Sequence, residues 1–156
     1  MGHVREKSHH LPLSCYIGRH PIAFTCCVEN RNDCFRDRST VGAIKSLLQK
    51  CLQKFNIDAH VYLFMPDHCH LLLEGQDDAA DMYTCMHTFK QQSGFWLAKN
   101  KQMHWQKNFY DHILRKEEDI EKHVRYILNN PVRQDIVEDW KQYPYKGSTL
   151  YDLSKW

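Results

Sequence analysis

"HVYLFMPDHCHLLLEG" occupies residues 60–75. Apolar and aromatic residues flank Pro66–Asp67, a dipeptide that favours a turn. The spacing predicts two strands, about 57–65 and 68–74, joined by a very tight turn. In a strand, residues two apart project on the same side. His68, His70 and Leu72 therefore share one face, and Cys69, Leu71 and Leu73 the other. The all-apolar set is expected to meet helices, which leaves both imidazoles on the more open face. Two readings of the pair are open: joint ligands of one metal ion, or hydrogen-bond partners of loop backbone.

Outward from this hairpin, "HPIAFTCCVEN" (20–30) reads as a strand and "NRNDCFRDR" (30–38) as a polar loop. Ser39 or Thr40 is placed to cap a helix over 41–55, where Val41, Ile44, Leu47, Leu48, Cys51, Leu52 and Phe55 recur at helical spacing. A second helix is expected over about 79–99, weakened locally by Gly94. Residues 104–115 read as a short strand, and 117–130 as a helix with an acidic start, closed by Pro131. Residues 1–19 resemble an extended arm, and 132–156 an aromatic, loop-like tail. The order β, α, β, β, α, β, α fits one α+β domain over 1–156, with helices packed mainly on one face of a sheet.

The 156 residues suffice for a real core, and a charged fraction of 26% is ordinary for a globular chain. A net charge of +2 permits a nucleic-acid partner without requiring one, because a local basic patch matters more than the sum. Seven cysteines raise the question of zinc, but no C-x-x-C occurs. Reduced thiols in a cytoplasmic protein are the expectation. No apolar run approaches the roughly 18 residues of a membrane span. Neither a membrane nor a small-molecule substrate is expected as partner.

A second feature lies in "YILNNPVR" (126–133). Tyr126 and Asn130 stand four apart on the expected helix, hence on one face. A phenol serves as a nucleophile and an amide oxygen as a ligand. The plainer reading makes Tyr126 a core aromatic and Asn130 a polar helix stop.

Taken together and in order, "MPDHCHLLL" (65–73), "WQKNFYDHILR" (105–115) and "YILNNPVR" resemble the single-tyrosine HUH transposases. HUH denotes histidine, a bulky hydrophobic residue, histidine. The likeness is to the branch associated with repetitive extragenic palindromes (REP), and it extends over about residues 15–150. Asp67 stands where that group commonly has Asn, and Cys69 fills the hydrophobic slot. The resemblance implies a ferredoxin-like antiparallel sheet. It implies His68, His70 and Asn130 as metal ligands, Tyr126 as nucleophile, and Mg²⁺ or Mn²⁺ as the ion. Imidazole by itself favours softer ions. It further implies a single-stranded or hairpin DNA partner, cut and rejoined through a 5′-phosphotyrosine, and a monomer in preference to a homodimer.

Lys90, Lys99, Lys101, Lys107, Arg115, Arg125 and Arg133 are candidate phosphate contacts, each equally readable as a solvated charge. Arg115 and Arg133 lie inside the matched motifs. Trp105 and Tyr110 are readable as base-stacking or core residues, and His112 has no assigned role. Three other readings compete: a domesticated hairpin-DNA binder that does not cut, a replication initiator or relaxase, and a structural zinc module. Initiators and relaxases often carry lysine where this chain has Asn130.

Overall fold

The structure, a computed structural model, describes residues 11–115 and 118–156. Most of the expected N-terminal arm, including His9–His10, and the first residue expected in the last helix, Glu117, lie outside the described residues.

Strand β1 (Pro21–Cys27) alternates half-buried and buried residues before ending in the buried pair Cys26–Cys27. Strands β2 (Ile57–Met65) and β3 (His68–Gly75) form the expected hairpin around Pro66–Asp67. With β4 (Tyr110–Ile113) and β5 (Lys146–Gly147) they make one antiparallel sheet in the order β4-β1-β3-β2-β5. Without β5, this is the ferredoxin-like order.

Helices α1 (Arg38–Lys54) and α2 (Met82–Lys101) cover one face. There Ile44, Leu48, Cys85 and Phe89 pack with Cys69, Leu71 and Leu73, the set assigned to that face from alternation. Helix α3 (Ile120–Leu128) covers part of the other face, where Val124, Ile127 and Leu128 join Leu63, Met65, Leu72 and Leu114 in a second core. α3 is followed by the one-turn helix α4 (Asn130–Arg133).

Several boundaries differ from the expectation, each for a local reason. α1 starts earlier because Asp37, not Ser39 or Thr40, is its cap: the carboxylate accepts from Thr40 N at 2.9 Å and from the Thr40 hydroxyl. α2 is capped by Asp81 and runs through Gly94 to Lys101. β4 is shorter than 104–115. The Trp105 ring turns into the core, its indole N–H donating to Ser93 Oγ at 2.8 Å, and its backbone makes a single bridge to Val28. Pro131 does not close the long helix. It sits in the first turn of α4, where its missing N–H costs nothing. The tail supplies β5, and Gly147 permits its close approach: a Cβ there would lie 2.2 Å from the Tyr62 hydroxyl.

β2 carries an irregularity at His60, between Ala59 and Val61, and the His60 ring lies against Tyr151 of the tail. All seven cysteines are free thiols, and all but Cys15 are buried. Among the described residues, no helix is long and apolar enough to cross a membrane.

Candidate metal and nucleophile site

Antiparallel pairing sets Thr25 opposite His70 and Cys27 opposite His68. The two imidazoles stand at right angles, with their Nε2 atoms 3.1 Å apart. The other nitrogen of each ring is occupied. His68 Nδ1 lies 2.6 Å from Asp67 Oδ1, and His70 Nδ1 lies 3.1 Å from Thr25 Oγ1. A carboxylate can only accept, so His68 donates from Nδ1, which leaves Nε2 as the nitrogen that faces His70.

Asp67 is held in turn by Arg31, whose Nε donates to Oδ2 at 2.9 Å. Burial raises the Asp67 carboxyl, but the bonds from His68 and Arg31 outweigh it and hold it well below the usual carboxylate range. His70 is pushed down to about 3, first by burial and then by the positive fields of His68, Arg133 and Arg31. It is therefore neutral and retains a lone pair for a cation.

These features fit a divalent ion. Adjacent corners of an octahedron with bonds of about 2.1 Å are about 3 Å apart, close to the observed imidazole spacing. The Asp67–His68 contact is the outer-sphere carboxylate that commonly orients a metal-binding histidine. Among the described residues, no three His, Cys, Asp or Glu gather into a metal cluster. A third protein donor would then be an amide or hydroxyl oxygen.

Such a donor is at hand. A cavity of about 270 Å³ on this face is lined by His70, Tyr126 and Asn130, together with Thr25 and residues of β4. Tyr126 is 63% exposed on α3, not a core aromatic. The Arg133 guanidinium lies 3.9 Å from its ring centroid, and Arg133 Nη2 donates to the Tyr126 carbonyl oxygen at 2.7 Å. The His70 imidazole thus borders one cavity with a phenol and a carboxamide that lie more than fifty residues further along the chain.

Residues 18–130 match the family described as "Transposase IS200 like". The chain belongs to that family. A Haemophilus influenzae protein provisionally named a REP-associated tyrosine transposase is 27% identical over 136 residues, 80% of this chain and 77% of that protein. The Escherichia coli K12 REP-associated tyrosine transposase is 34% identical over 94 residues, 58% of this chain and 53% of that protein. In fold, this IS200-like chain is similar to a REP-associated tyrosine transposase solved with a REP hairpin. The TM-score is 0.76 at 21% identity, covering 90% of this chain and 82% of the other. A Deinococcus radiodurans chain provisionally described as a transposase matches with a TM-score of 0.54 at 12% identity, covering 83% of this chain and 95% of the other.

The other candidate cations of this IS200-like transposase chain divide. Arg133 borders the tyrosine. Arg125 is turned to Glu121, 3.5 Å away, and to the Trp156 ring. Lys90 donates to the carbonyl oxygens of Gln106 and Lys107 at 2.7 and 3.2 Å, beside a separate cavity of about 570 Å³. Lys101 pairs with Asp37 at 3.3 Å. Lys99, Lys107 and Arg115 are exposed. Trp105 is a core residue, while Tyr110 lines the tyrosine cavity. Sequence reasoning missed Thr25 and Arg31, because their contacts depend on strand register and on a turn meeting a loop.

Proposed function

We propose that this transposase-family chain cuts and rejoins single-stranded DNA beside hairpins through a covalent 5′-phosphotyrosine on Tyr126. The observation carrying this reading is the convergence of His70, Asn130 and an exposed Tyr126 on one cavity, with His68 Nε2 against His70. Exposure matters because a phosphodiester must reach the hydroxyl. A flexible single strand can bend to bring its backbone to the hydroxyl, whereas a duplex holds its backbone rigid.

His68, His70 and Asn130 would hold Mg²⁺ or Mn²⁺, which when bound offsets the charge of the scissile phosphate and orients it. Asp67 and Thr25 fix the two rings in place. Arg133 sets the tyrosine ring on one side, and its charge favours a phosphate there. Attack by the hydroxyl exchanges one phosphodiester for another, so no nucleotide energy source is needed. Arg115 and Arg133 are assigned to phosphate contacts, with Lys90 and Arg125 joining if strand binding frees them from their present partners. The structural neighbour's REP hairpin supports a hairpin as the DNA partner.

α3, which carries the tyrosine, packs on the sheet of its own chain. A monomer therefore supplies every group named. All four groups that cutting requires are present, which ranks a binder that does not cut second.

The test uses a labelled DNA strand holding a REP hairpin with single-stranded flanks, incubated with Mn²⁺ and run on a denaturing gel. Wild type is expected to form a denaturant-resistant adduct. Tyr126→Phe is expected to form none while binding the hairpin within a few-fold of wild type. His68→Ala and His70→Ala are expected to keep the fold and lose the adduct. An adduct on Tyr126→Phe overturns the nucleophile assignment, and normal rates in both histidine variants overturn the metal assignment.

A further inference from the structure

In the reaction above, the tyrosine hydroxyl must lose its proton as it attacks. The cavity holding Tyr126 is also lined by two histidines that the metal assignment does not use, His112 on β4 and His123 on α3. His123 precedes Tyr126 by three residues, so both rise from one helix face, with Cβ atoms about 5–6 Å apart. The His112 and His123 rings run nearly parallel, at 17° with centroids 6.1 Å apart. Glu118 holds His112: its two carboxylate oxygens lie 3.2 and 3.1 Å from Nε2, and Oε1 accepts from Arg115 N at 3.2 Å. The His112 bond and the Arg115 amide keep the Glu118 carboxyl below its ordinary range, with His112 and His123 adding to the effect. Two imidazoles and a phenol thus line one cavity, with an anionic anchor behind the first imidazole.

We propose that His123 takes the proton of Tyr126 Oη during attack, and that His112 and Glu118 are positioning residues that set its ring. The proposal rests on the reading of Tyr126 as nucleophile. In the step, the Oη–P bond forms and the P–O3′ bond breaks, its electron pair leaving on O3′. The tyrosine proton passes to His123, and O3′ takes a proton from water. The resulting hydroxide collects the proton from the imidazolium, so the balance closes. In the rejoining direction, water protonates His123, the hydroxide so formed takes the O3′ proton as O3′ attacks phosphorus, and the imidazolium returns its proton to Oη as the Oη–P bond breaks. Imidazole suits both directions because its ordinary titration range lies near neutrality. The charged and titratable groups around His123 are His112, Tyr110 and Asp111 from β4, Glu118 from the preceding loop, His70 from β3 and Tyr126 on its own helix.

The test measures single-turnover adduct formation on the same REP-hairpin strand at saturating Mn²⁺. General acid–base contributions run to about 10²–10⁴-fold. His123→Ala is expected to slow the adduct by about 100-fold or more with hairpin binding unchanged. Added imidazole should restore rate in proportion to its free-base concentration, and more basic substituted imidazoles should restore more. His123→Asn, which keeps a polar side chain on the helix, is measured alongside in case the alanine variant folds poorly. His112→Asn should slow the reaction less and gain less from imidazole. A rate within threefold of wild type in either His123 variant overturns the proposal, and so does a slowed His123→Ala that imidazole does not rescue. If wild type itself forms no adduct, the tyrosine-nucleophile reading fails first.

Discussion

A carboxylate one residue before His68 decides which nitrogen of that ring is available. Asp67 accepts a hydrogen bond from Nδ1–H and is itself clamped by Arg31, so the ring can neither rotate freely nor change tautomer cheaply. Asp67→Ala should therefore weaken Mn²⁺ binding by about 10–100-fold, measured by titration with the metal followed calorimetrically. Asp67→Asn should retain most of the affinity, because its amide oxygen still accepts from Nδ1. Equal affinities for wild type and the alanine variant would remove the orienting role. Alternation relates His68 to His70 and helical spacing relates Tyr126 to Asn130, but spacing alone leaves plainer readings open, and the roles come from the resemblance to the HUH transposases; the structure adds that His70, Tyr126 and Asn130 border one cavity. Thr25 and Arg31 were not legible in the chain. Thr25 reaches His70 across a strand pair, and Arg31 reaches Asp67 from a different loop. Only the register reveals such contacts.

Among the elements, α3 matters most, because it presents the tyrosine. Asp119 caps it, its carboxylate accepting from Glu121 N at 2.9 Å and Lys122 N at 3.4 Å. Asp119→Ala should cost about 1 kcal/mol, a fall of about 2–4 °C in melting temperature for a chain of this length. Asp119→Ser should restore most of it. Thermal melts of the two variants check the effect, and an unchanged alanine variant would show the cap to be idle. The hairpin and the order of the elements were readable because the apolar period changes clearly between 2 and 3.6 residues. Ends were harder to read. Asp37 caps α1 ahead of its expected start at 41, whereas Asp81 and Asp119 fall inside the expected spans 79–99 and 117–130, whose helices begin only after these caps. β4 was overdrawn because Trp105 looks strand-like and is instead a core anchor. β5 is two residues long, too short for any period to mark it.

For the molecule as a whole, a helix on the second face means that one chain brings its own Tyr126 to the cavity lined by its own His70. Mixing His70→Ala with Tyr126→Phe should then yield no adduct, since neither chain holds a complete site. Adduct in the mixture, absent from each variant alone, would show exchange of α3 between copies. The sheet's far edge adds a pH dependence of a different kind. His60 is buried, its Nδ1 lies 2.6 Å from the Tyr151 hydroxyl, and Nε2 is 3.8 Å from Glu74, beyond hydrogen-bonding range. Burial lowers its pKa more than Glu74 raises it. A histidine lowered in the folded state contributes stability that is full above the unfolded value near 6.5 and lost as pH falls below it. Wild type should therefore lose more melting temperature between pH 7.5 and 5.5 than His60→Gln does. Equal losses would mean that His60 is protonated as readily folded as unfolded.

The distribution of sulphur has a practical corollary. Six thiols lie beneath packed side chains, and Cys15 alone is partly open to solvent. A bulky maleimide dye should thus modify the native protein once, at Cys15. That leaves a single addressable position for following its encounter with DNA by fluorescence, without engineering any residue away.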